Sequence, residues 1–153
     1  RVEYTTRTAE GRYAPKNCTA AWIETADGRY VATIEIGAAL RKPGLMYWQD
    51  HACTEKPGPD VISSATLPDH TKPHKPLWKG LDLDKLPAPD GNYRLFIEVT
   101  ESDKEPGEYA TFDFVKGPIA FGGEVPVGAE GLLERVSIAW ELPAAGGISG
   151  AGM

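Results

Sequence analysis

The stretch TAAWIETADGRYVATIEI, residues 19 to 36, decides the fold. Two strand-like runs flank Asp27-Gly28, and an Asp-Gly pair in that position is a strong short-range hairpin signal. A tight two-residue turn needs positive φ, which these residues tolerate. The outgoing strand is expected over Thr19–Ala26 around Trp22 and Ile23, and the return strand over Arg29–Ile36. Strict alternation predicts Tyr30, Ala32, Ile34 and Ile36 on one face and Val31, Thr33 and Glu35 on the other.

Outward from the hairpin the same period of two recurs. Asn92–Glu101 turns Tyr93, Leu95, Ile97 and Val99 inward. A tight turn over Asp103–Gly107 leads to Glu108–Val115, where Ala110, Phe112 and Phe114 alternate with Thr111 and Asp113. Arg1–Thr8 alternates Val2, Tyr4 and Thr6 with Glu3, Thr5 and Arg7. Leu133–Leu142 alternates Val136, Ile138, Trp140 and Leu142 with Ser137, Ala139 and Glu141. Leu45–Trp48 and Pro76–Lys79 read as short strands and Ala38–Lys42 as a helical turn. Helical periodicity is not sustained over ten residues anywhere. Seven or eight short strands with frequent turns predict an all-β, antiparallel β-sandwich. One domain is expected over residues 1–142, with a flexible Gly/Ala-rich tail over 143–153.

Composition narrows the function classes. A net charge of −6 over 153 residues argues against nucleic acid or an anionic membrane surface as partner, since both need a basic face. No apolar run approaches the roughly 18 to 20 residues that would span a bilayer directly. The two cysteines, Cys18 and Cys53, lie in no metal-type spacing and suggest one disulfide in an oxidising compartment. Neither Ser63 nor Ser64 sits in the G-x-S-x-G setting of a hydrolase nucleophile.

Gly37 to Pro76 is the longest irregular part, with prolines at 57, 59, 68, 73 and 76. Long irregular segments inside compact domains are usually functional or disordered. All three histidines, His51, His70 and His74, fall here, as does the heptapeptide Asp60-Val61-Ile62-Ser63-Ser64-Ala65-Thr66. Directly beyond comes Trp78-Lys79-Gly80-Leu81-Asp82, then Leu86-Pro87-Ala88-Pro89-Asp90-Gly91-Asn92-Tyr93. Asp82, Asp84 and Asp90 lack the glycine and glutamate spacing of a calcium loop and read as turn aspartates.

This last unit resembles the W-x-G-x-D…G-x-P-x-x-G-x-Y pattern of FlgD-like immunoglobulin-type domains, which implies a sandwich of that kind. The heptapeptide resembles the acceptor motif D-x-x-[ST]-[GS]-A-T, at which a flavin transferase attaches FMN to threonine through a phosphoester bond. That motif occurs in FMN-binding subunits of bacterial membrane redox pumps. Over residues 17–116 the chain is similar to a domain family of predicted periplasmic proteins, of unknown function, that often carry D-A-[IV]-S-G-A-T. Ser64 stands where glycine is commoner.

The resemblance implies covalent FMN on Thr66, a recognition anchor at Asp60, and small residues Ser63, Ser64 and Ala65 that let the peptide enter the transferase. The partners implied are that transferase and a membrane or periplasmic redox protein; the location implied is periplasmic or otherwise extracytoplasmic. The chain would be a redox carrier and not an enzyme. His70 and Lys72, with His74 and Lys75, are candidates to meet the phosphodiester charge. Trp48 and Trp78, with Tyr47, are candidates to bed the flavin ring. Two other readings stand beside this one: a non-redox immunoglobulin-like binding or adaptor module, and a metal protein using His51, His70 and His74 with Asp50 or Asp69.

Overall fold

The computed structural model describes residues 1–8, 16–38, 44–52, 61–64, 66, 69–102, 107–128 and 131–142. In chain order the elements are β1 (Val2–Thr6), β2 (Cys18–Thr25), β3 (Tyr30–Gly37), α1 (Met46–His51), β4 (Ile62–Ser64), β5 (Gly91–Thr100), β6 (Glu108–Lys116), β7 (Phe121–Val125) and β8 (Leu133–Trp140). The expected turns over Ala38–Lys42 and Asp103–Gly107 fall largely outside the described residues. Cys53, Asp60, Ala65 and the tail 143–153 lie wholly outside them.

The β2–β3 hairpin closes at the Asp-Gly pair, but through a three-residue loop over residues 26–28 in place of the expected two-residue turn, because Asp27 does not take positive φ and Gly28 does. Gly28 takes φ +92°, its N–H donates to Thr25 O at 2.9 Å, and Thr25 N–H donates to Arg29 O at 2.8 Å. β5 adds antiparallel to the other edge of β2, and β6 follows β5. Gly107 lets this second hairpin close: a Cβ there would stand 2.3 Å from Val99 O. β4 joins the free edge of β3 in parallel, giving a mixed five-stranded sheet in the order β4-β3-β2-β5-β6. β1, β8 and β7 form a smaller antiparallel sheet in the order β1-β8-β7. The molecule is an all-β sandwich.

Both sheets share one core. Val2 and Tyr4 of β1 and Leu133, Val136 and Ile138 of β8 meet Ile23, Ile34, Leu95, Ile97 and Val99 of the larger sheet. Fully burying one such side chain is worth about 1.5–3 kcal/mol. A second cluster lies on the opposite face of β2, where Cys18, Ala20 and Trp22 pack with Ile36, Phe96, Leu45 and Trp48.

Strict alternation in β3 is not what forms. The β2–β3 ladder shifts register twice, between Ala21 and Trp22 and between Ile23 and Glu24. An extra residue in one strand turns neighbours to the same side. Val31, Ala32 and Ile34 therefore all enter the sandwich core, while Ile36 joins the second cluster. Two short-strand expectations also change. Leu45–Trp48 forms the cap and first turns of α1, held by a contact from a distant strand. Pro76–Lys79 forms no strand: Pro73 and Pro76 have no N–H to donate, and pairing with β1 stops at a bond from Val2 N–H to Pro76 O at 3.1 Å. His74 instead makes a single antiparallel bridge to Tyr4.

The Trp78–Tyr93 unit is a self-bonded corner. The Trp78 indole N–H donates to Leu81 O at 2.8 Å, and Ala88 N–H donates to Gly80 O at 2.8 Å. The Asp82 carboxylate accepts from the N–H groups of Asp84 and Leu86 at 2.9 and 3.0 Å, so it works as a turn cap. The Tyr93 hydroxyl donates to Pro89 O four residues upstream, a tyrosine corner of the kind found in Greek-key sandwiches. Among the described residues no helix is long and apolar enough to cross a membrane.

Candidate functional site

The described part of the heptapeptide sits on the edge of the larger sheet. Ile62, Ser63 and Ser64 pair in parallel with Glu35, Ile36 and Gly37. Val61 packs against the second cluster and anchors the strand from below. Ile62 is 47% exposed and Ser63 is exposed; Thr66, just past the strand end, is half-buried. β4 is three residues long, and short edge strands are the least committed part of a sheet.

Glu35 fastens both ends of the Thr66 segment. Its backbone ladders with Ile62, and its buried carboxylate meets His74 Nδ1 at 3.1 Å. The same carboxylate accepts from the Tyr4 hydroxyl and from Thr19 Oγ1 at 3.4 Å. The Tyr4 and His74 rings stack at 4.5 Å, nearly parallel, and their backbones exchange bonds of 3.0 and 2.8 Å. Burial, followed by the Glu35 charge, pushes the Tyr4 hydroxyl well above the usual tyrosine range, so it stays protonated as a donor. His74 Nε2 is buried without a hydrogen-bond partner among the described residues. A charged residue between two core isoleucines was the sequence signal for Glu35. No local pattern marks its partners.

His70 and Lys72 follow on a turn built by Asp69. The Asp69 carboxylate accepts from Thr71 N–H at 3.0 Å and Thr71 Oγ1 at 2.6 Å, and these bonds hold its pKa below the usual range. His70 Nδ1 bonds Thr6 Oγ1 at 2.9 Å and lies 3.5 Å from Asn17 Nδ2. Lys72 and Lys75 are exposed. Of the four candidate cations, His74 is thus enclosed in the core and His70 is tied to β1.

Between this turn and the outer side of β1 and β8 runs a groove of about 450 Å³ lined by Arg7, His70, Thr71, Glu134 and Arg135, among others. Arg7 and Arg135 carried no sequence signal, because the pairing of β1 with β8 spans most of the chain.

The tryptophans are placed on opposite faces of the larger sheet. Trp48 is 2% exposed in the second cluster, with its indole N–H donating to Thr33 Oγ1 at 3.0 Å. Trp78 is 6% exposed in the sandwich core. Each indole is already enclosed, so neither offers an open face for a flavin ring beside Thr66. Tyr47, from α1, packs on Tyr109 at 4.3 Å.

Glu98 explains how α1 is held. Its buried carboxylate accepts from the N–H groups of Tyr47 and Trp48 at 3.0 and 2.9 Å, satisfying donors that a helix start leaves open. His51, at the far end of α1, meets Glu24 at 2.9 Å. The three histidines thus go to three places: the outer face, the sandwich core and the β1 end. Among the described residues no group of three metal-binding side chains converges. No disulfide is seen there either; Cys18 is fully buried, and its expected partner Cys53 lies outside the description.

The chain matches no protein-family model, no curated protein and no solved structure, so its residues and their geometry carry the functional reading.

Proposed function

We propose that this sandwich is an extracytoplasmic electron-transfer domain that carries FMN covalently on Thr66. The observation that supports the reading is the setting of the motif. Ser63 and the half-buried Thr66 lie at the edge of the larger sheet, on a segment whose two ends converge on Glu35. A short edge strand peels away at little cost while the core behind it stays intact, which suits a peptide that must enter a transferase. The Thr66 hydroxyl attacks the FMN phosphoryl group of FAD; a phosphoester forms at Thr66, AMP leaves, and the hydroxyl proton passes to the transferase. A threonine hydroxyl is a weak nucleophile, so the base and any metal belong to that enzyme. Bound FMN supplies reversible electron storage, and the chain's part is to hold it and set its surroundings. A membrane or periplasmic redox protein is the partner proposed.

The test is co-expression with a flavin transferase. A yellow protein with an intact mass raised by FMN less water is expected, and Thr66→Ala abolishes both. A colourless product of unchanged mass refutes the reading and leaves the non-redox binding module in its place.

A further inference from the structure

We infer that the free edge of β6 is a dimer interface. β6 pairs antiparallel with β6 of a second copy, about a two-fold axis at Phe112, and joins the two five-stranded sheets into one continuous sheet. This interface is independent of the flavin reading of Thr66.

Four strands stand at sheet edges, β1, β4, β6 and β7, and they differ in what protects them. β1 is closed by residues 74–76, through Val2 N–H to Pro76 O at 3.1 Å and the two backbone bonds between Tyr4 and His74. β4 has three residues and β7 five. β6 has nine, in unbroken register with β5 from Glu108 to Lys116. Sheet edges are normally blunted by shortness, bulges, proline or lysine. β6 has no bulge and no proline, and its lysine is the last residue.

The ladder fixes which groups β6 offers. Ala26 N–H donates to Asn92 O at 3.1 Å, so the backbone of Asn92 faces β2. Hydrogen-bonded and non-bonded pairs alternate along an antiparallel ladder, so Tyr93, Leu95, Ile97 and Val99 bond toward β6. Their partners there are Phe114, Phe112, Ala110 and Glu108. The backbone groups of Tyr109, Thr111, Asp113 and Val115 therefore point away from the sheet. Among the described residues no backbone hydrogen bond reaches them, and all four residues are exposed. By the same rule β7 offers only Gly122 and Glu124, because Ala139 N–H is turned to Arg1 O on the β1 side.

Self-pairing fits β6 from end to end. Centred on Phe112, an antiparallel pair uses all nine residues. Its hydrogen-bonded positions set Thr111 against Asp113, and Tyr109 against Val115, of the other copy. Tyr109 and Val115 are 45% and 55% exposed, and contacts between aromatic and β-branched side chains across strands stabilise a sheet. On the other face half-buried Ala110 meets half-buried Phe114. The charges fit this register. Glu108 falls opposite Lys116, and Asp113, held by Arg94 at 2.7 Å, falls opposite an uncharged threonine. Lys116 already bonds Asp90 at 2.8 Å, so the fit lies in keeping like charges apart, which a ladder requires. A pair centred on Asp113 would instead set two carboxylates face to face. β4 lies at the opposite edge of the sheet, so the Thr66 segment stays open in the dimer.

Sedimentation equilibrium of the unmodified full chain, from about 1 µM to about 1 mM, tests the pairing. A saturating monomer–dimer equilibrium with a micromolar dissociation constant is expected, in keeping with a small interface. In hydrogen exchange followed by NMR, the amides of Tyr109, Thr111, Asp113 and Val115 should gain protection as the dimer fills, and those of Gly122 and Glu124 should not. Thr111→Pro removes an outward N–H and none of the bonds to β5, a change that edge strands tolerate, and should abolish the dimer. Val115→Lys alters an exposed side chain and should weaken the dimer about tenfold; it carries the test should Thr111→Pro fail to fold. Growth beyond the dimer, protection of Gly122 and Glu124 in place of the β6 amides, or a full-strength dimer in either folded variant overturns the pairing. A monomer at every concentration also overturns it, and leaves the edge to a strand of another protein.

Discussion

Glu35 and Glu98 lie on opposite faces of the same five-stranded sheet, each buried and each holding a segment remote in sequence. Glu98 grips backbone, the first free N–H groups of α1. Glu35 grips side chains, the Tyr4 hydroxyl, Thr19 and His74. A backbone clamp satisfies donors that any helix start exposes, so its loss loosens one element. The side-chain clamp ties both sheets and the Thr66 segment to one carboxylate, so its loss strands several buried polar groups together. The same residue type thus supports one local and one global function.

The largest effect should come from Glu35→Ala. It leaves the Tyr4 hydroxyl and His74 Nδ1 buried without their partner, and stability should fall by about 3–5 kcal/mol in urea or guanidinium unfolding. A loss no larger than that of a surface substitution would break the comparison. Glu98→Ala should cost about 1–3 kcal/mol for its two orphaned N–H groups. Its signature is local: hydrogen exchange should quicken over Met46–His51 while β1 and β8 remain protected. Equal loosening of both sheets would show that Glu98 is no less global than Glu35.

The pH dependence separates Glu98 from a neutral mimic. Burial raises its carboxyl pKa above the usual glutamate value, against the opposing pull of the Trp48 and Tyr47 N–H groups. The folded protein then holds this proton more tightly than the unfolded chain. The resulting stabilisation is complete below the ordinary glutamate pKa and is lost as pH rises through the folded value. Unfolding free energies of the wild type relative to Glu98→Gln should therefore decline with rising pH in the acid range. A flat or rising difference contradicts the assignment.

These clamps also mark where the sequence was readable. The β2–β3 and β5–β6 hairpins and β8 were legible because turn chemistry and period-two apolar residues are local signals. β7 was not: Gly122 and Gly123 erase the alternation, and its residues are mostly exposed. α1 was not, because six residues are too few for a helical period and its clamp lies about fifty positions away. The β3 face assignment failed at register shifts that only pairing with β2 determines. For the candidate site, the motif and Thr66 were visible. Glu35 as the fastening of both segment ends was not, nor were Arg7 and Arg135 as groove walls, since each depends on strands that are distant in the chain.

The smallest effect sharpens the contrast. Thr66 belongs to neither clamp, and Thr66→Ala should change stability by no more than about 0.5 kcal/mol, with the amide spectrum preserved beyond its immediate neighbours. A large loss would make Thr66 a structural residue.

Covalent attachment would fall on one hydroxyl among three neighbours, Ser63, Ser64 and Thr66. Tandem mass spectrometry of the peptide that spans them, from protein co-expressed with a flavin transferase, tests it most directly. FMN on Thr66 with both serines unmodified is the expected result; a bare Thr66, or FMN on Ser63 or Ser64, would contradict the carrier reading.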